Sequence, residues 1–192
     1  MFLVARPDAE AVRRWLERQA SVPLPPAPPR TALAVDHGSA VLGAGGATFE
    51  RGCAALRAWE MFRLGWVEVF PSAAPIRVGT TVGVLVRHFS LWSLNPCRIV
   101  ALVEETGAVE RVGFVYRTLP EHAVEGEERF VVEWRQRDDQ VVYDLTAWSR
   151  PRHILVRLGR PVARLVQRRF ARDSRRAMRA AVRSQGSASS RP

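Results

Sequence analysis

A small group of His and Glu side chains in this 192-residue chain suits acid–base chemistry. His122 stands with three carboxylates, Glu121, Glu127 and Glu128, around a predicted connection between two strands. A histidine within hydrogen-bond reach of a carboxylate forms a general-base pair, because the carboxylate orients the imidazole. His122 and Glu128 are therefore the candidate catalytic residues. The alternative is that Gly126 makes a turn whose charges only keep the hairpin soluble.

Strand alternation predicts a second, overlapping set of residues. Side chains two positions apart on a strand share a face, so Glu128 shares a face with Trp134. The same rule places His88 on the face of its strand's valines, and Tyr116 and Tyr143 on the apolar faces of theirs. The predicted ligand-binding residues are His88, Tyr116, Glu128, Trp134 and Tyr143. Sparse polar groups of this kind orient a ligand in a mostly apolar pocket. The alternative is solvent-exposed strand ends and core tyrosines.

Known catalytic and cofactor motifs are missing from the sequence. It has no GxSxG nucleophile motif and no glycine loop with phosphate-binding spacing. The two cysteines, Cys53 and Cys97, form neither a CxxC pair nor zinc-ligand spacing, and they are expected to be buried thiols. We therefore predict no metal and no cofactor. Catalysis stays an open question, with a non-catalytic protein favoured.

The pattern along the chain divides it into four segments. Residues 1–22 are expected to hold a helix capped by Asp8, with Val12, Trp15, Leu16 and Gln19 on one face. Residues 23–30 are a proline-rich linker. Residues 31–184 form a single α+β domain. Residues 185–192 are a small-residue tail that we expect to be disordered.

Within the domain, the apolar residues recur at the spacing of a strand, then of a helix, then of several strands, and finally of a long helix. A short strand, a glycine-rich loop from Gly38 to Gly46 and a helix from about Thr48 come first. Six strands with short connections then imply an antiparallel meander. A long helix follows from Arg152 to about Arg183, with a break expected at Gly159 and Pro161. The predicted fold is a curved antiparallel sheet of six to seven strands around a long C-terminal helix.

This element order resembles the helix-grip fold of the START and Bet v 1-like proteins. The resemblance implies a cavity, often apolar, between the sheet and the C-terminal helix. The competing architecture is an open antiparallel sheet packed on two helices without a cavity.

Four sequence segments also resemble one protein family. They are 97–100 (CRIV), 113–122 (GFVYRTLPEH), 126–130 (GEERF) and 148–151 (WSRP). In order and spacing they resemble the domain-of-unknown-function family 1990, also named uncharacterised protein family 0548, over about residues 31–180. Arg117 and Glu121 stand where the family pattern has glycines. The resemblance supports the fold and implies no activity.

The positive charge is concentrated in one segment. All 29 basic residues are arginines, and residues 150–185 hold twelve of them with a single acid, Asp173. The predicted anionic-surface-binding residues are Arg164, Arg168, Arg172, Arg175, Arg176 and Arg179. A solvated basic face is the alternative. An anionic membrane is the expected partner of this stripe, and nucleic acid is not expected.

The sequence therefore favours one function over two alternatives. The first is binding of an apolar small molecule or lipid in a cavity between sheet and helix. The second is a cyclase- or hydratase-like enzyme with a Glu or His base in that cavity. The third is an interaction module that docks through the arginine-rich C-terminal helix onto an anionic membrane or nucleic acid. No apolar run is long enough to span a membrane and no signal peptide is evident, so a cytoplasmic location is expected.

Overall fold

The computed structural model describes residues 2–89, 91–152 and 160–189. The three helices are α1 (Ala9–Ala20), α2 (Gly46–Arg57) and α3 (Arg160–Ser189). The eight strands are β1 (Phe2–Leu3), β2 (Ala34–Ala44), β3 (Val67–Phe70), β4 (Thr81–His88), β5 (Leu91–Glu105), β6 (Val109–Thr118), β7 (Val124–Arg135) and β8 (Gln140–Pro151). Single 3-10 turns span Arg30–Ala32 and Glu60–Phe62.

One curved antiparallel sheet contains all eight strands. Its main path runs β2-β8-β7-β6-β5-β4-β3, and the short β1 pairs with β5 beside that path. Strands β3 to β8 follow each other in space as they do in sequence, as short connections dictate. The predicted meander and the α+β class with a long C-terminal helix are confirmed.

Two strands are longer than the sequence pattern predicts. Strand β2 runs on to Ala44, so the prediction of a glycine-rich loop from Gly38 was wrong. At Gly38 the Arg175 guanidinium lies directly over the strand, 2.3 Å from where a Cβ would stand. Strand β5 begins at Leu91, six residues before its predicted start at Cys97. This extension brings further polar residues into the sheet.

Helix α2 and the turn that follows it cover the centre of one sheet face, which we call the inner face. Gly52 permits this approach, because a Cβ there would lie 2.9 Å from Val132 on β7. The chain then reverses at Trp59 (φ 58°), and Trp59 and Phe62 become fully buried. Phe62 packs 5.4 Å from Phe130 on the sheet, between ring centroids. This part of the inner face is a dry aromatic core.

Helix α3 packs against α2, the 3-10 turn at Glu60–Phe62, and strands β2 and β8. Its apolar side includes the buried Met178 and Val182. The helix extends to Ser189, five residues past the predicted end of the domain at residue 184. Gly159, at the predicted break, lies outside the described residues, whereas Pro161 lies in the first turn of α3.

Helix α1 packs on the opposite, outer face of the sheet. Asp8 caps it through a 2.7 Å bond from the Ala11 N–H, as predicted. Trp15 and Leu16 pack with Leu85 and Leu94 in a second, smaller core. The sheet is therefore buried on both faces at β4 and β5.

Two sequence expectations concern chemistry and location. Cys53 and Cys97 are both free and buried, as expected. Among the described residues, no helix combines the length and apolarity needed to cross a membrane. The expected cytoplasmic location stays a prediction.

Candidate functional site

A tyrosine and a glutamate face each other at one end of the inner face. Tyr116 on β6 lies directly opposite Glu128 on β7 in the register of the two strands. The Tyr116 hydroxyl donates a hydrogen bond of 2.7 Å to Glu128 Oε2. Both side chains point inward, as strand alternation predicts. Among the described residues, the Tyr116 hydroxyl is the one hydrogen-bond partner of the Glu128 carboxyl.

The pair sits in surroundings that disfavour charge. Burial raises the pKa of Glu128 to about 7, the Tyr116 hydrogen bond lowers it, and the nearby Asp36 raises it. The pKa of Tyr116 is raised well above its usual value by burial and by Glu128. Glu128 therefore exchanges a proton near neutral pH, which a surface glutamate does not do.

Polar groups continue from this pair across the sheet. Cys97 faces inward on β5, and its thiol lies close to Tyr116. Asn95 and Ser93 follow at two-residue steps on the same face of β5. Asn95 Nδ2 donates to Ser93 Oγ at 2.9 Å, and His88 Nε2 is hydrogen-bonded to the same oxygen at 2.8 Å. We call the six residues the polar band: His88, Ser93, Asn95, Cys97, Tyr116 and Glu128.

The polar band lies on a face that elsewhere forms the core. It crosses four neighbouring strands, β4 to β7, and the aromatic core around Phe62 and Phe130 adjoins it. Burial lowers the pKa of His88, so this histidine is mainly neutral near pH 7. The sheet thus presents mainly neutral hydrogen-bonding groups, together with the titrating Glu128 carboxyl, beside apolar surface.

The other two predicted ligand-binding residues make their hydrogen bonds outside the polar band. The Tyr143 hydroxyl is hydrogen-bonded to Ser174 Oγ of α3 at 2.9 Å, and both residues are fully buried. Burial raises the pKa of Tyr143 far above its usual range. Trp134 lies six residues along β7 from Glu128, where its indole donates to Asp139 at 2.9 Å. Its ring packs near Phe49 of α2.

The histidine of the candidate catalytic pair is not joined to a glutamate in the described part of the chain. His122 Nδ1 accepts the Val124 backbone N–H at 3.0 Å. Burial lowers the pKa of His122 to about 3, so the ring is neutral. Glu121 accepts from Trp15 and Gln19 of α1, and Glu127 pairs with Arg117. His122 therefore serves the turn between β6 and β7 as an acceptor.

Several of the six arginines predicted to bind an anionic surface contact the protein itself. Arg179 donates to the Val41 carbonyl at 3.0 Å, and Arg172 pairs with Asp173 at 3.0 Å. Arg175 lies over Gly38, and Arg164 is 4.0 Å from Asp36. The two that are exposed without such a partner among the described residues are Arg168 and Arg176.

An open groove of about 600 Å³ lies elsewhere, between the end of α2, the loop of residues 72–77, and strands β5 and β6. Its lining includes Leu56, Ile76, Leu102 and three exposed arginines. None of the polar band lines it. Among the described residues, no three His, Cys, Asp or Glu side chains are grouped for metal binding. The buried hydrogen-bond network makes the polar band the stronger candidate site.

Two solved structures are similar to this chain at a low level. The crystal structure of Ara h 8.0201 is 11% identical, covers 79% of this chain and 99% of its own, and superposes with a TM-score of 0.46. The hypothetical protein jhp0584 from Helicobacter pylori is 12% identical, with 73% and 84% coverage and a TM-score of 0.44.

Proteins named UPF0548 are nearer in sequence. The one from Dictyostelium discoideum is 38% identical over 157 residues, which are 77% of this chain and 72% of that protein. The one from Deinococcus radiodurans is 42% identical over 143 residues, 68% and 69% of the two chains. The Arabidopsis thaliana protein is 31% identical over 147 residues, 75% and 71% of the two chains. With residues 18–177 matching its sequence profile, the chain belongs to the family DUF1990, a domain of unknown function.

Proposed function

We propose that the protein binds an apolar small molecule or lipid between helix α3 and the end of the inner face that carries the polar band. The observation that carries this proposal is the inward hydrogen bond between Tyr116 and Glu128. A glutamate is a poor choice for packing a sheet against a helix, because its carboxyl must be desolvated. A role in orienting a ligand explains why the carboxyl stands there.

The surroundings of the polar band suit an apolar ligand with one polar end. Val166 and Phe170 of α3 pack against the core and are only partly buried. Together with the aromatic rings of the sheet, they supply apolar contact surface for the body of a ligand. Small-molecule sites typically combine such surface with a few convergent polar groups.

A second candidate is catalysis at the same place. A carboxyl with a pKa of about 7 matches the requirement for a general acid or base at neutral pH. Glu128 would be that group, and Tyr116 would orient it. Loss of turnover in a Glu128→Gln variant that still binds the ligand would support this candidate over simple binding.

Native mass spectrometry of the full chain, exposed to an organic extract of its producing cells, tests the binding proposal. We expect a discrete additional mass on the protein. The Val166→Trp variant should lose it, because the larger side chain occupies space between α3 and the sheet. Leu165→Trp is the matched control, since Leu165 is 68% exposed on the same helix. An unliganded mass throughout, or equal occupancy in the two variants, would contradict the proposal.

A further inference from the structure

The polar band contains one buried acceptor that the described chain leaves without a donor. Asn95 is 5% exposed. Its Nδ2 donates to the Val84 carbonyl at 3.3 Å and to Ser93 Oγ at 2.9 Å, so the orientation of the amide is set by two acceptors. Its Oδ1 is buried and has no hydrogen-bond partner. Folded proteins rarely leave such an oxygen unpaired, because water has been removed without replacement.

The orientation of the Asn95 amide is constrained by its neighbours. Rotating the amide would place Oδ1 against the Val84 carbonyl and leave two acceptors facing each other. Both N–H donors of Asn95 Nδ2 are therefore used, one by the Val84 carbonyl and one by Ser93 Oγ. Asn95 Oδ1 must take its partner from outside the polar band. The missing partner is a hydrogen-bond donor.

The charges around the band indicate what kind of donor fits. His88 is neutral, and the carboxyl of Glu128 is the acidic member of the band. Arg152 shares the Glu125 carboxylate with Arg150, and Arg164 lies 4.0 Å from Asp36, so each of these two cations already faces a carboxylate of the protein. A carboxylate ligand would meet Glu128 without a compensating cation from the described residues, which disfavours it.

We propose that the ligand carries an uncharged hydroxyl group, whose O–H donates to Asn95 Oδ1, and that the polar band rejects the corresponding carboxylates. This inference rests on the proposed function and narrows it to alcohols with an apolar body. Sites that hydrogen-bond a ligand hydroxyl discriminate strongly against analogues without it, because the site's own polar group is left unpaired.

Calorimetric titration of the full chain with three probes at pH 8 tests the inference. The probes are decan-1-ol, 1-methoxynonane, which has the same number of heavy atoms but no donor, and decanoate, which is ionised. We expect decan-1-ol to bind at least about tenfold more tightly than either other probe. Equal binding of the ether, or tighter binding of decanoate, would overturn the inference and leave the proposed function standing. No binding of any probe would count against both.

A variant locates the effect at Asn95. Asn95→Leu keeps a similar volume and removes the unpaired oxygen, so it should abolish the preference for the alcohol over the ether. An unchanged preference in a folded Asn95→Leu protein would overturn the assignment to Asn95. If this variant does not fold, the comparison of the three probes on the unmodified chain still tests whether the ligand needs a hydroxyl donor.

Discussion

The hydroxyl of Tyr116 and the carboxyl of Glu128 are directly opposite each other on neighbouring strands, 2.7 Å apart, on the face that α3 and α2 cover. The proposed function rests on this hydrogen bond. The strand register holds both side chains inward, and their surroundings keep the carboxyl protonated to an unusually high pH.

Replacing Glu128 by Gln should stabilise the protein at pH 8. The pKa of Glu128 is raised to about 7 in the folded chain, so the unfolded chain ionises first as pH rises from about 4.5. Stability should therefore fall between about pH 4.5 and 7 and level off above, by about 3 kcal/mol at most. Denaturant unfolding at pH 5 and pH 8 measures this decrease. The free energy of unfolding of Glu128→Gln should fall much less between the two pH values than that of the unmodified protein.

Glu127→Gln is the matched control for that experiment. Glu127 is the next residue on β7, but it pairs with Arg117. Its substitution should remove a favourable pair and leave the decline of stability with pH in place. A decline as steep in Glu128→Gln as in the unmodified protein would show that the carboxyl does not titrate there.

Replacing Tyr116 by Phe should raise the pKa of Glu128 further. The phenol lowers that pKa by donating to the carboxylate. Without it, the causes that remain are burial and the nearby Asp36, and both raise the pKa. Carbon-13 nuclear magnetic resonance of the Glu128 carboxyl during a pH titration measures the shift. Tyr143→Phe is the control, because its hydroxyl contacts Ser174. A pKa that stays constant or falls in Tyr116→Phe would contradict the assignment.

Replacing Phe62 by Ala should cost about 3–5 kcal/mol of unfolding free energy. Phe62 is 1% exposed, and its ring packs 5.4 Å from Phe130 and 5.3 Å from Phe170. Its loss leaves a cavity between the sheet and α3. Phe89→Ala is the control, since Phe89 is 95% exposed and should change stability by no more than about 0.5 kcal/mol. Similar values for the two variants would contradict the packing described here.

Replacing Gly126 by Ala should destabilise the protein by about 3 kcal/mol or more. A Cβ at Gly126 would lie 1.9 Å from the Trp148 carbonyl oxygen of β8, so two strands would have to separate. Gly186→Ala, in α3, should instead raise stability by about 0.5–1 kcal/mol, because a Cβ there meets only ordinary contacts. Thermal unfolding of both variants checks the contrast. A Gly126→Ala protein as stable as the parent would refute the close strand approach.

Charge on α3 should produce weak binding to anionic vesicles at low salt. Arg168 and Arg176 are the exposed members of the predicted stripe that have no partner in the described chain. Replacing both by Gln should weaken vesicle binding by about 2 kcal/mol, roughly thirtyfold. Arg13 and Arg87, also replaced by Gln, form a control with the same net charge. Equal losses in the two double variants would mean that net charge alone acts.

Strand alternation predicts much of the site from sequence. His88, Tyr116 and Glu128 share the parity of the apolar residues on their strands, so the inward direction of all three follows from the pattern. The hydrogen bond between Tyr116 and Glu128 does not follow from sequence. It depends on which residues of β6 and β7 lie opposite each other, and this register is set by the turn between them.

The part of the polar band on β5 was missed for a physical reason. In the segment of β5 before Cys97, the apolar residues Trp92 and Leu94 alternate with Ser93 and Asn95. Leu94 packs on α1, outside the sheet, so the face that reads as apolar is the outer one. Because β5 is buried on both faces, Ser93 and Asn95 face the inside of the protein, although their polar side chains before Pro96 are typical of a loop. The packing of α1 on the outer face was the missing information.

Nuclear magnetic resonance titration with decan-1-ol shows whether a ligand binds at the polar band, because it follows the side-chain amide of Asn95 and the backbone amides of these residues. We expect saturable shifts at Ser93, Asn95 and Glu128 with one common dissociation constant. Shifts confined to Ile76 and Leu102 in the open groove, or shifts that never saturate, would contradict a ligand site on the inner face.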